Sequence, residues 1–379
     1  MSAPVVPTER LRAGTGLSTL TFVTALLGAA CALLVVGYSA SGNTVGFAWP
    51  IILRVLLIAL PLATGIHALG LLLGRLLSRM RHPEVVFAAA GLTLIATATP
   101  GRFPVAVMVG LMAVLIVRVV TLPRTARHSL GLSAIAIALL LISVSLMNNL
   151  VLPLAGDRLI DPQLRWTDEI VYSRVLGITS YVGIFPVTKS WKVFEFFENS
   201  YFSLAFLPML VPMVLAHEPR QIARFVTSAF LCYALAGFVF LALPAIGPLL
   251  YFPDALDPRF RNTLTNAATE LLRAEATRIG SGQSPATGLG YFIALPSLHA
   301  AMGTVCQYHL RTSAPHFWMM LPVTVLLVLS TFLLGQHYIV DALAGVLLGA
   351  GVSVAVARAA SRRGPIGRSP RLQSPLSVG

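Results

Sequence analysis

Apolar runs of about twenty residues, separated by short gaps that carry arginine, recur along most of this chain. A run of that length crosses a hydrocarbon layer of about 30 Å as a helix. Within lipid, each backbone N–H and C=O must find its partner inside the segment, which excludes loops and isolated strands. Ten runs meet or approach the requirement: 17–39, 48–73, 84–99, 103–121, 129–154, 199–216, 224–243, 295–311, 316–335 and 338–358. The third is short and joins the fourth through a Pro100-Gly101 turn, where a re-entrant hairpin is the alternative. The expectation is an all-α, polytopic membrane protein of about ten transmembrane helices.

Composition supports this class. Of 379 residues, 56% are hydrophobic and 11% charged, against about a quarter charged in a soluble domain. The net charge of +13 does not point to nucleic acid, because the basic residues are nearly all arginines placed in the gaps between apolar runs. Arg10 and Arg12, Arg75 to Arg81, Arg118 to Arg127, Arg220 and Arg224, Arg311, and the tail from Arg358 to Arg371 all fall on one side of a ten-span chain. Positive residues mark the cytoplasmic side, so both termini are expected there. The first run is too long for a signal-peptide core and reads as an uncleaved span. Cys31, Cys232 and Cys306 lie inside apolar runs without metal-ligand spacing and read as small packing residues.

Two long loops fall on the outer side, 156–198 and 244–294. The first holds Asp157, Asp161, Asp168, Glu169, Glu195 and Glu198 with the two lysines, Lys189 and Lys192. The second opens on "LPAIGPLLYFP" and contains Arg259 and Arg261. Residues 359–379 form a basic, Ser/Pro/Gly-rich tail expected to be disordered. Residues 1–128 carry no legible chemistry.

Two fragments hold the chemistry. "ALPSLHAAMG", 294–303, places Pro296, Ser297 and His299 at the entrance of an apolar helix; "LLGQHYIVDALAG", 333–345, does the same for His337 and Asp341. Ionisable groups near hydrocarbon are costly and mark sites. The i, i+4 spacing puts His337 and Asp341 on one helical face, where a carboxylate fixes the imidazole tautomer. Ser297 and the free N–H groups of the helix start form an anion cradle, and Pro296 suits that start. The arrangement fits a phosphate held between two histidines, one a nucleophile and the other a general acid. A zinc site of His299, His337 and Asp341 would satisfy a ligand count, but it gives Pro-Ser-x-His no role. His67, His82, His128, His217, His309 and His316 have no partners at telling spacing and read as structural or surface. Gly345 and Gly349 have the spacing of a close helix contact.

Pro-Ser-Leu-His at 296–299 and Gly-x-His-Tyr-x-x-Asp-x-x-Ala-Gly at 335–345 resemble the second and third signature motifs of the type-2 phosphatidic acid phosphatase superfamily. That superfamily comprises lipid phosphate phosphatases and phosphotransferases. The resemblance covers 129–358 and implies a six-helix catalytic bundle there. It implies His337 as the nucleophile that forms a phosphohistidine, Asp341 as its orienting partner, His299 as the acid for the leaving alcohol and Ser297 as a phosphate ligand. It implies no metal and no cofactor, with a lipid phosphate as substrate, membrane lipids around it and the site on the outer face of a bacterial inner membrane. The first motif, Lys then six residues then Arg-Pro, is absent; a Gly-Pro segment stands in its place and resembles the aureobasidin-resistance branch, which includes inositol phosphorylceramide synthases. Lys189, Lys192, Arg259 and Arg261 are then the candidate cations for the phosphate, and an alcohol such as inositol is a candidate acceptor in place of water. A lipid transporter or flippase is the rival function for a many-spanned chain with an ionisable cluster.

Overall fold

The computed structural model describes residues 18–29, 32–33, 63, 66–67, 70, 122–155, 158–175, 191–252, 264–281, 283 and 293–362. Among these residues the ordered elements are all helical. They comprise α1 (Ser18–Ala29), α2 (Arg124–Ala155), α3 (Asp161–Val175), α4 (Trp191–Tyr201), α5 (Leu207–Val214), α6 (Pro219–Ala242), α7 (Leu264–Gly280), α8 (Leu298–Leu310), α9 (Ala314–Leu333) and α10 (Ile339–Arg362). A four-residue 3-10 turn, Phe202–Ala205, joins α4 to α5, and a single helical turn, Pro248–Tyr251, follows α6. The expected spans 84–99 and 103–121 lie outside the described residues, as do nearly all of 48–73 and part of 17–39.

Among the described residues, four helical segments are long and apolar enough to cross a membrane: Arg124–Val144 within α2, then α6, α9 and α10. Their outward faces carry large exposed apolar side chains, including Leu235 and Phe238 on α6, Trp318 and Val325 on α9, and Leu343 and Leu347 on α10. Water would penalise such a surface, whereas lipid would not. Together these features mark a membrane protein.

Two expected spans take a different form. The run 199–216 is divided among the end of α4, the 3-10 turn and the eight-residue α5. Pro208 stands in the first turn of α5 and Pro212 inside it. A proline offers no N–H to the carbonyl four residues back and its ring crowds that carbonyl, so one continuous helix is disfavoured there. The run 295–311 is the 13-residue α8. It does not need membrane length because its neighbours are helices: α5, α6, α9 and α10 all pack on it. Ala300, Ala301, Met302, Val305 and Cys306 are buried around its circumference, as expected of a helix enclosed by other helices. At the other end of the chain, α10 runs to Arg362, so 359–362 continue the helix rather than opening the tail.

Among the described helices α8 and α10 make the closest pair, and glycine makes it possible. A Cβ added at Gly345 would meet the carbonyl oxygen of Ser297, and one at Gly349 the carbonyl oxygen of Ala301. Both contacts are to backbone, which cannot swing aside. Gly351 on the same helix faces open space. Gly349→Ala should therefore destabilise the protein by about 1–3 kcal/mol, whereas Gly351→Ala should be neutral or stabilising by up to about 1 kcal/mol. Unfolding midpoints of the two variants in detergent test this; equal midpoints would contradict it.

Candidate active site

The N-termini of α8 and α10, the loop after α9 and the segment after α6 meet at one end of the bundle. Ser297 is the N-cap of α8, and its Oγ accepts from the Ala300 N–H at 3.3 Å. Serine serves here because its short side chain reaches back to a first-turn donor. The Ser297 N–H donates to the Asp341 carbonyl at 2.9 Å, which ties the start of α8 to the first turn of α10. Two residues on, His299 lies against Tyr201 of α4. Their rings stack with centroids 4.1 Å apart, and the Tyr201 hydroxyl is 3.2 Å from His299 Nδ1.

The loop after α9 carries His337, held from several directions. Its N–H donates to the Thr331 carbonyl at 3.0 Å, and Gly335 accepts from the Leu249 N–H at 3.1 Å. The Gln336 side-chain amide donates to Thr269 Oγ1 of α7 at 3.3 Å. The imidazole Nδ1 lies 3.0 Å from the Ala294 carbonyl oxygen. A carbonyl can only accept, so Nδ1 carries the hydrogen and Nε2 keeps the lone pair in the neutral ring. Burial pushes this imidazole down to about 4, opposed by the Ala294 carbonyl. It is therefore neutral at pH 7.

His337 and Asp341 lie close, at i, i+4, without a hydrogen bond between them. Asp341 Oδ2 is 3.9 Å from His337 Nδ1, too far for such a bond. It accepts instead from the Tyr338 N–H at 2.9 Å. Three residues separate the two, so this is the return half of a capping box, which the i, i+4 pattern concealed.

His299 and His337, on opposite sides of a helical hairpin in sequence, have ring centroids 5.8 Å apart and tilted by 59°. Ser297, His299, His337 and Asp341 thus converge. The expected cations do not join them among the described residues: Lys192 is exposed in the first turn of α4, nine residues from Tyr201 and hence about 14 Å along the helix. Lys189, Arg259 and Arg261 lie outside the described residues.

Several residues here were not singled out by sequence. Tyr201 and Ala294 touch the histidines. Gly247, inside the Gly-Pro segment, has φ +93°, and an added Cβ would meet the Gln336 carbonyl. Both facts require glycine. From α3, Asp161 accepts from the N–H groups of Ile246 (3.1 Å) and Gly247 (2.9 Å) and from the Tyr338 hydroxyl (3.1 Å). Asp168 accepts from the Ile339 N–H, with oxygens at 3.1 and 3.2 Å. Both carboxylates are essentially inaccessible to solvent. The available signal was a pair of acids seven residues apart, hence two turns along one helical face.

Residues 174–356 match the family model of the PAP2 superfamily. No curated protein and no solved structure matches the chain. The matched stretch includes α4 to α9 and most of α10, and therefore every residue of the histidine site; α2 and nearly all of α3 precede it.

Burial pushes Asp168 up to about 7, against the lowering effect of the Ile339 N–H. The folded protein then holds a proton that the unfolded chain releases near 3.8. Asp168 therefore contributes stability at acid pH that is lost as pH rises from about 4 through about 7. Asn is a near-isostere that does not ionise. The stability difference between wild type and Asp168→Asn should shift against wild type from pH 5 to pH 8, measured as paired unfolding midpoints. A pH-independent difference would show that the carboxyl does not titrate in this window.

Proposed function

We propose that this protein is a membrane phosphatase or phosphotransferase that acts on a lipid phosphate ester or anhydride through a phosphohistidine on His337. The observation that carries the reading is the juxtaposition of His299 and His337 at the mouths of α8 and α10. The family match supports phosphate-ester chemistry in the same residues.

The Nε2 lone pair of His337 attacks phosphorus while the bond to the leaving oxygen breaks. His299 gives that oxygen its proton, so an alcohol leaves. As the acid, His299 is protonated on both nitrogens: its Nδ1–H donates to the Tyr201 hydroxyl 3.2 Å away, which aims the Nε2–H at the leaving oxygen. Asp341 offsets the positive charge that develops on the modified imidazole. In the second half-reaction, water or an acceptor alcohol loses a proton to His299 and attacks phosphorus; the N–P bond breaks and His337 is restored. Ser297 and the first-turn N–H groups of α8 hold phosphate oxygens, and Lys189, Arg259 and Arg261 remain the loop cations proposed to balance the charge. Hydrolysis and transfer differ only in the second nucleophile. The Gly-Pro segment after α6 favours the aureobasidin-resistance branch and an alcohol such as inositol. In this reading the chain crosses a bacterial inner membrane about ten times, with both termini inside and the site on the outer face.

Purified protein in detergent should release phosphate from a panel of lipid phosphates and diphosphates, or form a new headgroup when inositol is added. His337→Ala should remove turnover by at least about 10³-fold, because it deletes the nucleophile. Tyr201→Phe should lower kcat by about 10-fold with little change in KM. An intact His337→Ala activity would end the phosphohistidine reading. Lipid flux without turnover would favour transport.

A further inference from the structure

We infer that Asp161 and Asp168 of α3 are positioning residues for His337, acting through backbone N–H groups and Tyr338 rather than on substrate. The inference rests on the reading of His337 as the nucleophile.

Asp161 acts on the histidine by two routes. The first is direct: it accepts from the hydroxyl of Tyr338, the residue next to His337. The second is a relay. Asp161 fixes the N–H groups of Ile246 and Gly247, and the preceding Ile160 N–H donates to Pro244 at 2.9 Å. The segment so held presents the Ala245 carbonyl, which accepts from the Ala294 N–H at 2.9 Å. The Ala294 carbonyl in turn accepts from His337 Nδ1. Asp161 therefore anchors the group that sets the His337 tautomer. Asp168 works at the other side of the same loop. It accepts from the N–H of Ile339, the first residue of α10, where a helix lacks internal partners and favours negative charge.

The packing fits this role. Leu164 and Tyr172 of α3 share a buried cluster with Ala245, Ala294, Leu295 and Tyr338. The helix that supplies both carboxylates thus packs with Ala245, Ala294 and Tyr338 of the relay. Three donors converge on Asp161, and only a carboxylate has enough acceptor sites for all of them. Asn would turn an NH2 group toward at least one donor. At 168 a side-chain amide oxygen can still accept from Ile339. Substitution at 161 should therefore have the larger effect. Residues 161 and 168 also precede the stretch that matches the family model, so this chain recruits a helix from outside that stretch to hold the histidine.

The test uses full-length protein in detergent: wild type, Asp161→Asn, Asp168→Asn, Tyr338→Phe and the half-exposed α3 control Glu169→Gln, which pairs only with Arg165 on its own helix. Two quantities are measured: turnover of a short-chain phosphatidic acid, and the rate at which diethyl pyrocarbonate acylates His337, read by peptide mass spectrometry. Asp161→Asn should lower kcat by about 10–100-fold with KM within about two-fold, since a small misplacement of the attacking atom affects the chemical step. It should also speed His337 acylation by at least about three-fold, because the ring is freed from its anchor. Asp168→Asn and Tyr338→Phe should move both readouts in the same direction by less, and Glu169→Gln should match wild type. If Asp161→Asn does not fold, Tyr338→Phe decides, because it removes only one hydroxyl. Unchanged kcat and unchanged His337 acylation in folded Asp161→Asn or Tyr338→Phe would overturn the inference. Should wild type fail to turn over phosphatidic acid, the acylation rates still judge the positioning role, and the failure belongs to that choice of substrate and to the functional reading.

Discussion

The close approach of α8 and α10 governs the rest of this architecture. Gly345 and Gly349 let the backbones meet at the carbonyls of Ser297 and Ala301. The Ser297 N–H then reaches the Asp341 carbonyl. His299 lies in the first turn of α8 and His337 two residues before α10, so the spacing between the helices sets the spacing between the imidazoles. A larger side chain at either glycine would separate the helices and widen the gap across which a phosphate is proposed to sit. Packing and chemistry are coupled here because a dense interior transmits a displacement rather than absorbing it.

The second constraint is that polar groups at this end of the bundle are buried. Buried donors need acceptors, or the free energy of desolvation is lost. The structure meets that need with carboxylates and carbonyls from distant parts of the chain. Asp161 takes three donors, Asp168 one and Asp341 one. The Ala294 carbonyl takes the His337 Nδ1–H. Satisfying the backbone of the 244–248 and 335–339 segments thus also fixes the tautomer and orientation of the His337 imidazole. Stability and preorganisation come from the same bonds.

Apolar length and arginine spacing made the helical, membrane-spanning class legible, because lipid admits few structures and helices of that length are among them. The two histidine motifs were legible because ionisable residues stand out in an apolar chain, and Ser297 before a helix announces a cap. The division of 199–216 was written in Pro208 and Pro212, although hydropathy alone runs straight through them. The shortness of α8 was not legible from the run 295–311, because only its ring of neighbouring helices removes the need for length.

The sequence by itself determined that the two histidine motifs lie at helix entrances, because residue type and local periodicity are properties of neighbours along the chain. Tertiary structure alone decided what each side chain touches. His337 and Asp341 are ideally spaced for a hydrogen bond, yet His337 Nδ1 bonds to the Ala294 carbonyl while Asp341 caps its own helix. Asp161, remote in the chain, became a central acceptor, and Tyr201 came to rest on His299. Such partnerships depend on distances between helices, and those distances are set by packing that no single stretch of sequence contains.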